Sequence, residues 1–166
     1  MPARPERGRC FEDFAPGQIF QHELGRTITQ TDNIWFTLLT MNTNPMHFDQ
    51  EYAARSAFGK TLVNSCLTLS LVTGISVADV SQNAMANLAW EEIRLPAPVF
   101  EGDSIYARSE ILETRESNSR PAVGIVRFRT TGYNQRGTTV IEFRRTILVY
   151  KRAHLPSIPK KALDSA

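Results

Sequence analysis

The sequence predicts an α+β fold in which an antiparallel sheet of about five strands wraps round a central buried helix. Residues 65–78, "SCLTLSLVTGISVA", carry no charge and have apolar or small side chains on every face, which is typical of a helix enclosed by protein. The second half of the chain is rich in strand-forming residues. A sheet of that size needs a cover for its apolar face, and the uncharged helix supplies one.

The first half is expected to hold one strand and two helices before that buried helix. Residues 17–29 form the strand, and a helix follows, capped by Asp32, with Ile34, Leu38 and Met41 at helical spacing. Asn44-Pro45 ends this helix. Asp49 then caps a short helix over residues 49–58, and residues 58–65 form a loop.

Four β-rich segments follow the buried helix, joined by a Pro-rich connector (95–103) and a hairpin turn, "NQRG". In the last segment Ile141, Phe143, Ile147 and Val149 share one parity and so one face of the sheet. Four arginines are expected on the solvated face of the sheet: Arg127, Arg129, Arg144 and Arg145. The predicted strands span residues 85–95, 103–116, 121–134 and 138–152.

The length of 166 residues predicts one domain. We expect an extended N-terminal arm over residues 1–15, the folded domain over 16–152 and a flexible C-terminal tail over 153–166.

Composition excludes several classes of function. The net charge of +2 is too small for a nucleic-acid binder but suits a small anionic ligand. Neither a secretory signal nor a membrane span is predicted. With only Cys10 and Cys66, a disulfide framework is not expected, which favours the cytoplasm. Cys66 is expected to be a buried thiol, and no metal-ligand spacing occurs.

The stretch "TMNTNPMHFDQEYA" (40–53) has the composition of a chemical site. A neutral imidazole at His47 is suited to take a proton from water at neutral pH. The start of the buried helix, at Ser65, offers unpaired N–H groups and the positive end of a helix dipole to an oxygen that gains negative charge.

Three blocks of the sequence resemble the MaoC-like dehydratase family, which includes the R-specific enoyl-CoA hydratases. They are the stretch around His47, the segment "TLVNSCLTLSLVTG" and the connector "RLPAPVFEGD". The resemblance covers roughly residues 15–152 and implies the hotdog fold, the architecture predicted above. Within the family, the chain is most similar to single-domain members that hydrate mesaconyl-CoA and itaconyl-CoA.

The resemblance implies a hydro-lyase that adds water reversibly to a 2-enoyl-CoA thioester, with CoA as part of the substrate and no other cofactor. His47 matches the catalytic histidine, and Asn44 matches the asparagine that orders the site loop. Ser65 stands where a glycine N–H faces the thioester oxygen, after Asn64. Asn44, Asn64 and Arg94 are the candidate substrate-binding residues. A homodimer paired through sheet edges is expected, with no nucleic-acid or membrane partner.

Asn42 stands where the family has an aspartate, and an amide cannot take a proton. Either His47 acts as the sole base, or a carboxylate among Asp49, Glu91 and Glu92 takes over, or the protein only binds an acyl-CoA. We favour catalysis on a dicarboxylyl substrate, because an aspartate at about 4 Å would repel its free carboxylate by about 1 kcal/mol or more. The candidate arginines for that carboxylate are Arg94, Arg55 and Arg120.

A hotdog acyl-CoA thioesterase is the main enzymatic rival. It would need a carboxylate or another water-activating group on or near the central helix, and residues 61–78 contain no carboxylate. A non-catalytic acyl-CoA-binding module is the second rival.

Overall fold

One antiparallel sheet organises the computed structural model, which describes residues 8–156. The strand order is β1-β4-β5-β6-β3, and the short strand β2 pairs with β4 beyond β1. The predicted first strand is wrong as a continuous element, because it is split in two and makes six strands in the described chain. The strands are β1 (Ile19–Gln21), β2 (Arg26–Thr27), β3 (Ala84–Arg94), β4 (Ser104–Glu116), β5 (Val123–Asn134) and β6 (Thr139–Tyr150).

Three α-helices precede β3 in the described residues: α1 (Gln30–Leu39), α2 (Gln50–Ala54) and α3 (Ser65–Ile75). A π-helical turn over Val77–Ser81 joins α3 to β3. Helix α3 packs over β4 and β5. It approaches β5 closely because Gly132 has no side chain: a Cβ there would lie 2.7 Å from Val72 Cγ2. The predicted α+β sheet with a helix on one face is confirmed.

The burial of α3 is only partial, which corrects two expectations. Leu67, Thr68 and Val72 face the sheet and are buried, whereas the thiol-bearing residue Cys66 is exposed. The exposed residues of the helix form an uncharged stripe: Ser65, Cys66, Ser70 and Gly74. The prediction of a buried Cys66 is therefore wrong, since the residue lies on the side of α3 that faces away from the sheet.

Helix α1 begins earlier than predicted, and its most buried face lies one residue away from the predicted apolar face. Its N-cap is Thr29, whose hydroxyl accepts from the Asp32 N–H while the Asp32 carboxylate accepts from the Thr29 N–H. Its buried side chains are polar, Asn33 and Thr37, and the predicted apolar position Leu38 is exposed. Polar groups therefore face the interior because they make hydrogen bonds there. The exposed apolar side chains of this region are Trp35, Leu38, Leu39 and Met41.

Strands β5 and β6 alternate between buried and half-buried residues, as their sequence pattern predicts. Phe143 and Ile147 lie on the inner face together with Phe128. Arg145 belongs to the same face and is only 3% exposed, so its predicted place on the solvated face is wrong. Its neighbours Phe143 and Ile147 point the same way because alternate residues of a strand share a face.

The described part of the N-terminal segment packs on the sheet, where an extended arm is predicted. Residues Phe11–Asp13 form a 3-10 turn, and Cys10 is fully buried. The Phe11 ring lies over Gly124, where any Cβ would overlap it. At the other end, residues 157–166 of the predicted tail lie outside the described residues. No described helix is long and apolar enough to cross a membrane, and localisation to the cytoplasm stays a prediction.

A buried hydrogen-bond chain joins this N-terminal segment to the turn after α3. His22 Nδ1 lies 2.8 Å from Asp79 Oδ2, and His22 Nε2 lies 2.9 Å from the hydroxyl of Ser109. Arg9 donates to the other Asp79 oxygen at 2.9 Å. Burial opposes ionisation of Asp79, but the hydrogen bonds from His22 and Arg9 outweigh it and lower the pKa of this carboxyl.

We expect Asp79→Asn to lower the free energy of unfolding at pH 7 by about 1–2 kcal/mol, since both charge-assisted bonds are lost. A lowered pKa stabilises the folded state fully above the ordinary value of 3.8, and this stabilisation disappears as the pH falls through the folded pKa. In urea unfolding, the difference in the free energy of unfolding between variant and wild type should therefore disappear only below about pH 4. A gap that closes near neutral pH would contradict the assignment, and Glu23→Gln, on the exposed neighbour of His22, is the control.

Candidate active site

His47 ends a 3-10 turn over Pro45–His47 and is 9% exposed. Its Nδ1 lies 2.7 Å from the backbone oxygen of Leu62. A carbonyl oxygen only accepts hydrogen bonds, so Nδ1 carries the proton of the neutral ring. This leaves Nε2 with an unshared electron pair, and no described residue bonds to it. His47 is thereby oriented as a base.

Asn33 holds the three segments around His47 together. Its amide nitrogen donates to the backbone oxygens of His47 at 2.9 Å and of Leu62 at 3.1 Å. Its side-chain oxygen accepts from the Asn64 N–H at 2.9 Å. The residue is fully buried, so these backbone groups cannot turn to water instead. Asn33 therefore fixes the loop of His47 against the start of α3.

The start of α3 offers a free donor at Ser65. Asn64 is the N-cap, and its side-chain oxygen accepts from the Cys66 N–H at 2.9 Å, while its amide donates to Thr37. The Ser65 N–H has no acceptor among the described residues. Ser65 is exposed and Asn64 is buried. Asn64, a predicted substrate-binding residue, is thus placed as the cap that leaves the Ser65 N–H open.

Asn42 and Asn44 shape the turn that leads to His47. The side-chain oxygen of Asn42 accepts from the Asn44 N–H at 3.0 Å, and that of Asn44 accepts from the Met46 N–H at 3.1 Å. The carbonyl of Asn42 is therefore engaged with the backbone, and its amide NH₂ is the group left to interact. Asn44 is exposed and caps the turn.

A cavity of about 250 Å³ lies at the start of α3. Ser65 and Thr68 form its helical side, and Leu95 brings in the end of β3. The remaining lining residues are mainly apolar: Phe58, Leu62, Val63, Pro96, Ala97, Pro98 and Val99. An apolar cavity with one backbone donor can hold an acyl group whose carbonyl oxygen needs a hydrogen bond.

The three carboxylates considered as replacements for the missing aspartate are all engaged elsewhere. Asp49 caps α2 and accepts from the Tyr52 N–H at 3.0 Å. Glu91 pairs with Arg127 and Glu92 pairs with Arg144. Both pairs lie on the outer face, because a bulge with φ of +50° at Glu92 interrupts the alternation of β3.

The predicted arginines lie at different places on the surface. Arg94 ends β3 as an exposed residue directly before the cavity residue Leu95. Arg55 is exposed at the end of α2, in a groove shared with Asp49. The guanidinium of Arg120 contacts the sulfur of Met85.

Sequence reasoning missed Asn33 and Glu101. Glu101 Oε1 lies 3.2 Å from the Asn33 amide nitrogen and shares its two hydrogens with the backbone oxygens of His47 and Leu62, so the two-residue link Glu101–Asn33 reaches the backbone of His47. The available signal was the spacing of Asn33 and Thr37, two polar residues four apart on one helical face. No group of three or more metal-ligating side chains occurs within residues 8–156; that no cofactor is needed stays a prediction.

Comparison with known proteins places this arrangement in a family. A family model described as mesaconyl-CoA hydratase matches residues 3–158. The chain belongs to the mesaconyl-CoA hydratase family. Hotdog and MaoC-like proteins are also its structural neighbours, which confirms the predicted resemblance.

Two curated relatives illustrate the sequence similarity. A mesaconyl-CoA hydratase of Cereibacter sphaeroides is 34% identical over 160 residues, which cover 93% of this chain and 46% of the relative. A beta-methylmalyl-CoA dehydratase of Chloroflexus aurantiacus is 32% identical over 152 residues, which cover 92% of this chain and 43% of the relative. The chain thus spans about half the length of these curated relatives.

Solved structures agree with the fold. A putative MaoC domain protein dehydratase of Chloroflexus aurantiacus superposes with a TM-score of 0.85 at 29% identity, over 98% of this chain and 46% of that one. A protein of Mycobacterium tuberculosis described as a double hotdog fold superposes with a TM-score of 0.80 at 22% identity. The match covers 94% of this chain and 47% of that one.

We expect Asn33→Ala to lower the free energy of unfolding by about 1–3 kcal/mol, because it leaves the backbone oxygen of His47 and the N–H of Asn64 without partners. Asn33→Asp keeps an acceptor for the Asn64 N–H but loses the donors to His47 and Leu62. Both variants should show a disordered His47 ring by NMR. Thr31→Ala, an exposed site on the same helix, is the control. Unchanged stability in Asn33→Ala would contradict the proposed hub.

Proposed function

We propose that the protein catalyses reversible hydration of a short 2-enoyl-CoA thioester whose acyl group carries a second carboxylate. The observation that supports this most directly is the pairing of an oriented base with an oxyanion donor. The hydrogen bond from His47 Nδ1 to the Leu62 carbonyl leaves His47 Nε2 free. The open N–H of Ser65 lies three residues after Leu62, at the start of α3.

The chemistry follows from these two groups. His47 Nε2 accepts a proton from water while the water oxygen bonds to C3 of the enoyl group. The electrons of the C2–C3 double bond move toward the thioester oxygen, where the Ser65 N–H and the α3 dipole stabilise the negative charge. The imidazolium then returns a proton to C2, which completes the addition. The Asn42 amide donates to the water and orients it.

The substrate class is supported by the relatives and by Asn42. The names of the two curated relatives refer to mesaconyl-CoA and beta-methylmalyl-CoA. A neutral amide at Asn42 avoids the repulsion that an aspartate would exert on an anionic acyl group. The relatives are about twice as long, so the comparison supports this substrate class without fixing it.

We expect His47→Gln to lose about 100- to 10,000-fold in kcat, since glutamine cannot exchange the proton. Loss of absorbance of the enoyl thioester with mesaconyl-CoA measures the rate. His154→Gln, which changes an exposed histidine outside the site, should retain the wild-type rate.

Two other outcomes identify the rivals. Release of free thiol at a rate above hydration would identify a thioesterase. Binding of the acyl-CoA by the wild type with no loss of the double bond would identify a binding module. Equal rates for His47→Gln and wild type would disprove the role of His47.

The free edge of β3 supports a homodimer. Among the described strands β3 pairs only with β6, so its other edge is free, and the strand has exposed apolar residues on its faces, among them Leu88, Trp90 and Ile93. An unpaired strand edge with apolar side chains is a template for another strand. We propose that the β3 edge of a second copy pairs with it.

We expect the wild type to sediment at twice the chain mass and the double variant Leu88→Glu/Ile93→Glu to sediment as a monomer, because it replaces two exposed apolar side chains of the strand at the proposed interface with charges. Leu24→Glu, exposed away from β3, is the control and should stay dimeric. A wild type that sediments as a monomer at micromolar concentration would contradict pairing through this edge.

A further inference from the structure

Thr68 carries a buried hydroxyl in the wall of the cavity at the start of α3. Of the residues that line this cavity, only Ser65 and Thr68 have polar side chains, and none is charged. Ser65 is exposed, whereas Thr68 is only 1% exposed. The two residues share one side of the helix because they are three positions apart. The cavity therefore has one buried polar side chain in an otherwise apolar wall.

The hydroxyl of Thr68 is only weakly engaged within the protein. Its Oγ1 lies 3.5 Å from the backbone oxygen of Asn64, a distance at the limit of a hydrogen bond. That oxygen already accepts from the Thr68 N–H at 3.1 Å. A hydroxyl proton rotates to suit its partner. The Thr68 hydroxyl can therefore turn to a stronger acceptor that enters the cavity.

The distance between this hydroxyl and the Ser65 N–H suits a short molecule with two acceptor groups. The Asn64 oxygen and the Ser65 nitrogen belong to one peptide group and lie about 2.3 Å apart. Ser65 N and Thr68 Oγ1 are therefore at most about 5.8 Å apart. The two carboxyl carbons of a four-carbon diacid are three C–C bonds apart, about 4 Å. With hydrogen bonds of about 2.8 Å, the two donors can reach both ends of such an acyl group at once.

The surroundings of the cavity tolerate the negative charge of a carboxylate. No aspartate or glutamate lines the cavity to repel it. The positive end of the α3 dipole lies at the same place, and a hydrogen bond to a carboxylate is stronger than one between neutral groups. None of the three arginines predicted from sequence, Arg55, Arg94 and Arg120, is among the lining residues. The hydroxyl is thus the buried side-chain donor available to the acyl group.

We propose that the Thr68 hydroxyl donates to the free carboxylate of a four-carbon dicarboxylyl group whose thioester oxygen accepts from the Ser65 N–H. Thr68 is then a specificity-determining residue that selects the second carboxylate and its distance from the thioester. This inference rests on the proposed function, because it assumes an acyl-CoA in the cavity at Ser65.

Binding of three saturated CoA esters tests the proposal without requiring turnover. Succinyl-CoA is the four-carbon diacid ester, butyryl-CoA has four carbons without the carboxylate, and glutaryl-CoA is the diacid ester with one more carbon. We expect the wild type to bind succinyl-CoA about 10- to 100-fold more tightly than butyryl-CoA in calorimetry, the value of one charged hydrogen bond. Glutaryl-CoA should bind at least about fivefold more weakly than succinyl-CoA, because its carboxylate lies beyond the hydroxyl.

Thr68→Val keeps the shape of the side chain and removes the hydroxyl. It should abolish the preference for succinyl-CoA and leave the affinity for butyryl-CoA within about threefold. Thr68→Ser keeps a hydroxyl and should retain most of the preference. Thr73→Val is the matched control, since it makes the same change on another face of α3, outside the cavity lining, where the hydroxyl has no partner. It should keep the preference of the wild type.

The proposal is overturned if the wild type binds succinyl-CoA and butyryl-CoA equally. It is also overturned if Thr68→Val keeps the succinyl preference, or weakens the binding of both esters alike. Loss of the preference in Thr73→Val would contradict it as well, because the effect would then not belong to the cavity. If Thr68→Val does not fold, Thr68→Ala removes the same hydroxyl, and the same outcomes apply to it.

Failure of the proposed function gives a different pattern. If neither mesaconyl-CoA nor crotonyl-CoA is hydrated but the succinyl preference depends on Thr68, the hydratase proposal fails and the carboxylate site stands. If both esters are hydrated at similar kcat/KM and Thr68→Val changes neither rate, the hydratase stands and the carboxylate site fails.

Discussion

The site depends on the hydrogen bonds of one buried amide. Four chain segments meet at Asn33: α1, the loop of His47, the residues before α3 and the connector at Glu101. Each brings a backbone or side-chain polar group that the fold removes from water, and such groups must find partners. A single side chain with both donor and acceptor atoms supplies them. The position of His47 and the position of the helix start are therefore set together.

The same network determines chemistry as well as position. Leu62 accepts from both His47 and Asn33, so its carbonyl selects the tautomer of the imidazole while its chain leads directly into the N-cap of α3. The His47 ring and the start of α3, the base and the oxyanion donor of the proposed function, are thus both tied to the short stretch of backbone from Leu62 to Asn64. A site built this way is preorganised, which is what electrostatic stabilisation of a developing charge requires. Asn42, by contrast, uses its side-chain oxygen to accept from the Asn44 N–H within the turn.

The sequence predicted the fold well because the fold is expressed in local patterns, and it singled out His47 by a short motif, although the role of His47 stays a prediction. The uncharged helix, the alternating strands and the Asn-Pro-x-His motif are readable within short windows. Asn33 and Glu101 were missed because their partners are 14 to 68 residues away. The face of α1 was wrong because apolar spacing normally marks the interior, whereas here a polar pair meets its partners there. Arg145 shares the parity of Phe143 and Ile147, which indicates the inner face. It was nevertheless predicted on the solvated face, because charged residues are rarely buried.

Asn42 and Arg145 both depart from expectation in their charge. Asn42 is neutral where the resemblance implies an aspartate, and its side-chain oxygen accepts from the Asn44 N–H. Arg145 keeps a positive charge on the inner face with no Asp or Glu partner among residues 8–156, and its Nε donates to Asn87. A buried cation without a partner charge costs folding energy, whereas the arginines on the outer face of β5 and β6 pair with glutamates. Arg145 is therefore expected to stabilise the sheet less than those paired arginines do.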